Sequence, residues 1–143
     1  IKTFMTVLAL PLLAASFVAS AQNASPVGRW KTYDEETGKP RLIVEVYEGK
    51  GGLAAKVIDT LYQPNAICTA CSGENKNKPV KGMIIMWGQK SAGAAGSYEG
   101  GTVLKLANGK TYKSKAKLLD ANKLEVKGCM GPICKAQVWT REN

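Results

Sequence analysis

Four cysteines are the side chains with the clearest chemical potential in this sequence. They stand as two close pairs, Cys68-x-x-Cys71 and Cys129-x4-Cys134. Four thiolates at this paired spacing can hold a zinc ion, and a Cys-x-x-Cys motif does redox chemistry when it stands at the start of a helix. No amphipathic helix follows Cys71, which disfavours the redox interpretation. In an exported chain, an even number of cysteines favours structural disulfides. We therefore predict disulfides, and three pairings stay open.

Catalytic groups of other kinds are scarce. The chain has no histidine, which excludes a Ser-His-Asp triad and a histidine-ligated metal site. The carboxylates of residues 34–36 fall in a turn, where a solvated acidic cluster is expected. Ser91, Ser97 and Ser114 have no base to activate them. We predict that the protein is not an enzyme and that it uses no cofactor and no metal ion.

The first 21 residues have the features of an export signal. Lys2 supplies a positive start, residues 4–18 are uncharged and mostly apolar, and Ala19-Ser20-Ala21 fits a small-x-small cleavage site. A membrane-spanning helix needs about 20 apolar residues, and this run is shorter and contains Pro11. We expect residues 1–21 to be a cleaved signal peptide and residues 22–143 to be one domain. The mature protein is then periplasmic or secreted, and not an integral membrane protein.

Alternation of apolar and polar residues dominates the remaining chain. Leu42, Val44 and Val46 share one face of a strand, and so do Leu124 and Val126. Such a period of two predicts strands with one solvated face. Asn108-Gly109 predicts a type I′ hairpin turn, because both residues tolerate a positive φ. Eight strands are expected, at about residues 27–33, 41–48, 53–59, 80–87, 98–106, 110–118, 123–129 and 135–141.

The short connections between these strands predict an all-β fold, an eight-stranded antiparallel up-and-down β-barrel. Barrel closure hides the two edges that an open sheet would expose; a β-sandwich is the alternative. The long exception is the connection from Thr60 to Pro79, which holds the first cysteine pair. Closure makes the first and last strands neighbours, so Arg141 can lie across an indole ring. Trp30, Trp139 and Arg141 are the residues expected to close one end of the barrel.

Several stretches, in this order along the mature chain, resemble a known family. They are Gly28-Arg29-Trp30, Thr37-Gly38-Lys39-Pro40, Ile43-Val44-Glu45-Val46-Tyr47, Cys68-Thr69-Ala70-Cys71, Pro79-Val80-Lys81-Gly82-Met83, Asn108-Gly109-Lys110-Thr111-Tyr112, Leu124-Glu125-Val126-Lys127-Gly128 and Trp139-Thr140-Arg141. On these residues the chain resembles the bacterial exported family of domain of unknown function 2147. The Gly-x-Trp motif near the start and the arginine near the end also resemble the calycin superfamily. The resemblance implies a lipocalin-like barrel outside the cytoplasm and no particular reaction.

A binding role follows as the functional expectation. Eight-stranded barrels can hold one small ligand or fill their interior with side chains. We predict a small apolar or amphipathic partner in the barrel. The side chains expected to point inward and line its site are Trp30, Val44, Val46, Val57, Ile85, Trp87, Tyr112 and Val126.

The positive charge of the chain supports a second function. The formal net charge is +9, and Lys113, Lys115 and Lys117 line one face of a strand. Such a surface favours anionic partners. The alternative is a surface-recognition module for an anionic envelope surface (lipopolysaccharide, phospholipid or acidic glycan) or for a protein partner. No nucleic acid is expected as a partner of an exported protein.

Overall fold

A computed structural model describes residues 9–11 and 24–143, so most of the predicted signal peptide lies outside the described residues. Eight strands follow one another along the chain. They are β1 (Gly28–Tyr33), β2 (Pro40–Gly49), β3 (Gly52–Thr60), β4 (Ile84–Ser91), β5 (Ser97–Lys105), β6 (Lys110–Asp120), β7 (Lys123–Met130) and β8 (Ile133–Arg141). In the described ranges, no helix is long and apolar enough to cross a membrane.

The strands form a closed antiparallel barrel in sequence order. Each strand pairs with the next, and β8 returns to β1 through Trp30↔Arg141 and Lys31↔Thr140. The predicted eight-stranded barrel is therefore confirmed, and the β-sandwich alternative is wrong. Closure joins the first and last strands without a further edge.

The predicted alternation holds along most strands. Leu42, Val44 and Val46 are buried in β2, and Leu124 and Val126 are buried in β7. The lysines at 113, 115 and 117 are exposed on the outer face of β6. Because successive side chains of a strand point to opposite faces, these patterns place the apolar sets inside the barrel.

Strand β4 begins four residues later than predicted. Residues 80–83 form a turn, in which the amide of Met83 donates to the carbonyl of Val80 at 3.0 Å. Gly82 has a φ of 92° there, a conformation that glycine adopts without a steric penalty. The apolar residues at 80 and 83 are buried, but they belong to the covering loop rather than to the sheet.

The turn at Asn108-Gly109 also differs from its prediction. Lys105 pairs with Lys110, so residues 106–109 form a four-residue loop. Gly109 has a φ of 70°, while Asn108 has no positive φ, and a type I′ turn requires both. The Asn108 side chain instead accepts a hydrogen bond from the Lys110 amide at 2.9 Å.

The loop of residues 61–83 covers one end of the barrel. Its buried side chains belong to the same apolar cluster as the barrel interior; they are Ala66, Cys68, Cys71, Val80 and Met83. The amide of Val57 in β3 donates to the carbonyl of Met83 at 2.8 Å. A Cβ atom added to Gly109 would collide with the Ala70 backbone, because the loop packs directly on the β5–β6 turn. Residues 61–83 are called the cover loop below.

Candidate functional site

Most of the predicted interior side chains line the inside of the barrel. Six are buried, namely Trp30, Val44, Val46, Val57, Ile85 and Val126. Tyr112 is half-buried near the covered end, where its hydroxyl accepts a hydrogen bond from Asn108 Nδ2 at 2.9 Å. The six buried side chains pack in one cluster with the cover loop. Their contact with a ligand stays a prediction.

Trp87 does not lie in the interior, so its assignment there is wrong. It is 38% exposed and pairs with Thr102, whose partner on β6 is the exposed Lys113. The cause is a β-bulge, because Lys56 pairs with Ile84 while Ala55 pairs with Met86. One extra residue in β4 therefore interrupts the alternation, and Trp87 turns to the outer face.

A second bulge, at which Leu53 pairs with Gln89 while Ala55 pairs with Met86, brings Gln89 into the barrel, a position that the sequence did not predict. Gln89 is 1% exposed, and its Nε2 donates to Ser114 Oγ at 2.8 Å. Its Oε1 atom has no hydrogen-bond partner. The one local signal was Gly88, whose φ of 72° accompanies the bulge, since a glycine inside a strand often marks such a site.

Glycines on the neighbouring strands make the Gln89 position possible. A Cβ atom on Gly101 would collide with the Gln89 side chain, at 2.5 Å from its Cδ. Gly101 pairs with Ser114, and Ser114 pairs with Gly128. Gly101 and Ser114 therefore lie next to the amide group of Gln89. This arrangement is a buried polar site in a mostly apolar interior.

The opposite end of the barrel is closed by the predicted tryptophan–arginine contact. The guanidinium carbon of Arg141 lies 4.3 Å from the centre of the Trp30 ring. Arg141 also donates to the carbonyls of Ser25 and Ala121, both at 2.6 Å, and to that of Val27 at 3.1 Å. Trp139 is buried, but the arginine covers Trp30.

All four cysteines form disulfides within their own pairs. Cys68 bonds to Cys71, and Cys129 bonds to Cys134. The predicted disulfides are confirmed, and the local pairing is the one adopted. A four-cysteine zinc site would require these sulfur atoms as thiolates. Cys68 and Cys71 belong to the cover loop and are buried, whereas the second pair joins β7 to β8 near their hairpin.

A surface groove of about 400 Å³ lies where β1 and β8 separate. Residues 33–35 and 135–138 line it. Glu35 accepts hydrogen bonds from Gln137 Nε2 at 2.6 Å and from Lys105 Nζ at 3.2 Å. The hydrogen bond from Gln137 is the main reason why the pKa of Glu35 lies below its ordinary value. Backbone and side-chain hydrogen bonds from Thr37 lower the pKa of Asp34. These carboxylates are therefore held in their charged form.

A basic face covers the outside of β6 and β7. Lys113, Lys115 and Lys117 lie along β6, and Lys115 stands directly opposite Lys127 on β7. Lys127 lies 3.6 Å from Glu125. Two like charges in opposite positions destabilise a sheet. These four lysines are called the basic face below.

Comparison with known proteins places this barrel in a family. A solved structure, titled "Protein HP1028 from the human pathogen Helicobacter pylori belongs to the lipocalin family", matches with a TM-score of 0.73 and 22% identity, covering 84% of each chain. At this identity the likeness shows the fold alone. No curated protein matches the chain. The family model described as "Uncharacterized protein conserved in bacteria (DUF2147)" matches residues 28–141. Since this match spans all eight strands, the chain belongs to the DUF2147 family.

Proposed function

We propose that the protein is an exported binding protein, without catalytic activity, that holds one small and mostly apolar molecule inside the barrel. A barrel of eight strands can hold one small ligand in its interior. The interior is apolar apart from a few polar side chains, and ligand sites commonly combine an apolar lining with a few placed polar groups. The lipocalin-like fold is compatible with this role.

The unpartnered amide atom of Gln89 carries the proposal. A buried polar atom without a hydrogen bond costs about 1–3 kcal/mol, so such atoms are rare in folded proteins. The oxygen and nitrogen of a glutamine amide are interchangeable by rotation. Ser114 can meet only one of them at 2.8 Å, so either orientation leaves one amide atom without a protein partner.

The chemistry of that amide defines the ligand class. A hydroxyl group both donates and accepts hydrogen bonds, so it can satisfy the remaining atom in either orientation of Gln89. Most other buried side chains, such as Val44, Val46 and Leu53, offer only apolar contact, and Thr32 adds one buried hydroxyl. The proposed ligand is therefore a hydrophobic molecule that carries a hydroxyl group.

Titration calorimetry with 1-nonanol and nonane tests this site. We expect 1-nonanol to bind in preference to nonane, and Gln89→Leu to weaken alcohol binding about five- to tenfold, as expected for one lost hydrogen bond. Gln63→Leu, an exposed glutamine, is the matched control and should bind as the wild type does. Absence of alcohol binding, or equal binding by the wild type and Gln89→Leu, would contradict the proposal. The native mass of purified protein then reports any ligand acquired in the cell.

An extracytoplasmic location is part of the same proposal. The predicted signal peptide and the two disulfides support it, because disulfides persist in oxidising compartments. Cell fractionation of the expressing bacterium tests the location. Recovery of the chain in the periplasm or medium, with a mass that begins at Gln22, is the expected result.

The basic face supports a second candidate function, recognition of an anionic envelope surface. The observation that supports this function is the Lys115↔Lys127 pair, in which two positive charges stand directly opposite each other in the sheet. Binding of the protein to phosphatidylglycerol vesicles should weaken in the variant Lys113→Gln/Lys115→Gln/Lys117→Gln. It should also fall as salt rises, because surface charges are screened beyond about 8–10 Å at physiological ionic strength. Binding that is equally strong in the variant and that does not weaken as salt rises would contradict this function.

A further inference from the structure

The hairpin that joins β7 to β8 ends in an exposed apolar tip. Its four residues are Met130, Gly131, Pro132 and Ile133, none of which is charged. Met130 is 67% exposed and Ile133 is 71% exposed, more than any other large hydrophobic side chain between residues 24 and 143. Adjacent exposed apolar side chains of this kind mark interaction sites.

The tip is held in a fixed shape. Cys129 and Cys134 stand directly opposite each other at its base and are bonded. Met130 pairs with Ile133, and Gly131 takes the positive φ of 56° that the tight turn needs. A rigid tip loses little conformational entropy when it docks, which favours binding.

The tip also lies beyond the ladders that join its two strands to their neighbours. The ladder between β6 and β7 ends at Lys113↔Cys129, and the ladder between β1 and β8 ends at Lys31↔Thr140. Residues 133–136 of β8 are all exposed. Met130 and Ile133 are therefore free of strand pairing outside their own hairpin and are accessible to a partner.

Lysines surround the base of the tip. Lys127 and Lys135 lie on the two strands of the hairpin, and Lys113 lies beside Cys129. An anionic bilayer has phosphates at its surface and acyl chains below them. An apolar tip with lysines at its base matches this order, because the tip meets the acyl chains and the lysines meet the phosphates. A second copy of this chain is a poorer match, because its net charge is also +9.

We propose that the Met130–Ile133 tip inserts into the interface of an anionic phospholipid bilayer while Lys113, Lys127 and Lys135 bind headgroup phosphates. This inference rests on the second candidate function and is independent of the ligand in the barrel. The two apolar side chains supply the part of the binding that resists salt, and the lysines supply the part that salt weakens.

Cosedimentation with phosphatidylglycerol vesicles tests the insertion. The protein used is Gln22–Asn143, which contains all eight strands of the closed barrel. We expect the tip variant Met130→Ser/Ile133→Ser to bind at least tenfold more weakly than the wild type. The matched control is Val27→Ser/Leu119→Ser, which removes two exposed apolar side chains near the opposite end of the barrel and should bind normally. Circular dichroism verifies that each variant is folded.

Each other outcome identifies a different failure. If the tip variant binds as the wild type does at both low and high salt, the lysines act alone and the insertion is wrong. If no protein binds at low salt, the second candidate function fails together with the insertion. If the tip variant loses self-association on a sizing column while its vesicle binding is unchanged, the tip serves a second copy, and the bilayer proposal is overturned.

Discussion

At the scale of single residues, Arg141 at the end of β8 binds to the segment that precedes β1. Its side chain covers Trp30 and donates to three carbonyls, which belong to Ser25, Val27 and Ala121. The planar guanidinium can satisfy these acceptors together while it stacks on an indole, and an ammonium group cannot. Closure by this contact therefore depends on the shape of the arginine as well as on its charge.

Substitution of the two closure residues should lower stability by different amounts. We expect Arg141→Lys to reduce the free energy of unfolding by about 2 kcal/mol, since it removes charged hydrogen bonds. Trp30→Ala should cost about 3–5 kcal/mol, because it leaves a cavity in the core. The midpoint of urea unfolding measures both. Arg29→Lys, on the exposed neighbouring residue, is the control. An unchanged midpoint in Arg141→Lys would show that the contact does not stabilise the barrel.

Glu35 should make stability depend on pH in the acidic range. Its pKa in the folded protein lies below the ordinary value of 4.5, first because of the hydrogen bond from Gln137. Since the unfolded chain binds a proton more readily, the stabilisation is complete above about pH 4.5 and is lost as the pH falls through the lower folded value. We expect urea midpoints of the wild type to fall more steeply below pH 5 than those of Gln137→Leu. Parallel profiles for the two proteins would contradict this coupling.

At the scale of elements, the two disulfides should contribute unequally. Each closes a short loop, and loop entropy alone predicts about 2 kcal/mol for either one. Cys68 and Cys71 are also buried in the cover loop against the barrel core, whereas Cys129 and Cys134 lie at an exposed hairpin. We therefore expect Cys68→Ala/Cys71→Ala to lower the free energy of unfolding more than Cys129→Ala/Cys134→Ala does. Urea unfolding of both variants measures the difference, and a larger loss in the second variant would contradict it.

Strand prediction succeeded where one local rule decided the structure. In β2 and β7 the alternation of apolar residues is regular, and the structure buries the expected face. In β4 two bulges, one between Ile84 and Met86 and one between Met86 and Gln89, depend on pairing with β3, which no local pattern of residues contains. Trp87 was placed inside and Gln89 was missed for this reason. The periodicity of the sequence therefore could not predict Gln89, the polar group of the candidate site.

The turn and the cysteine pairs show the same division between local and tertiary information. Asn108-Gly109 was recognised as a connection, but its loop length is set by the Lys105↔Lys110 register and by packing of the cover loop on Gly109. The disulfide pairing also needed the fold, because all three connectivities fit the sequence. The register of β7 and β8 places Cys129 opposite Cys134, and that register decides the pairing.

At the scale of the whole molecule, closure makes the order of strands cyclic. β1 pairs with both β2 and β8, so the barrel has no first strand in space. The two ends of the barrel domain, described from residue 24 to residue 143, lie together, because Arg141 Nη2 donates to the Ser25 carbonyl at 2.6 Å and the Glu142 amide donates to the Arg29 carbonyl at 2.9 Å. A short linker can therefore join them without strain.

A circular permutant tests this consequence of closure. Joining Asn143 to Ala24 with a linker of about six Gly/Ser residues and opening the chain between Lys50 and Gly51, in the β2–β3 turn, should keep the fold. We expect one cooperative urea transition and the near-ultraviolet circular dichroism of the parent, since exposed turns tolerate new termini. The matched control uses the same linker but opens the chain between Ala55 and Lys56, inside β3, and should fail to fold. If the permutant opened in the turn is also unfolded, the adjacency of β1 and β8 is not what holds the barrel closed. The contacts of Arg141 with the residues before β1 would then form only when the chain keeps its native order.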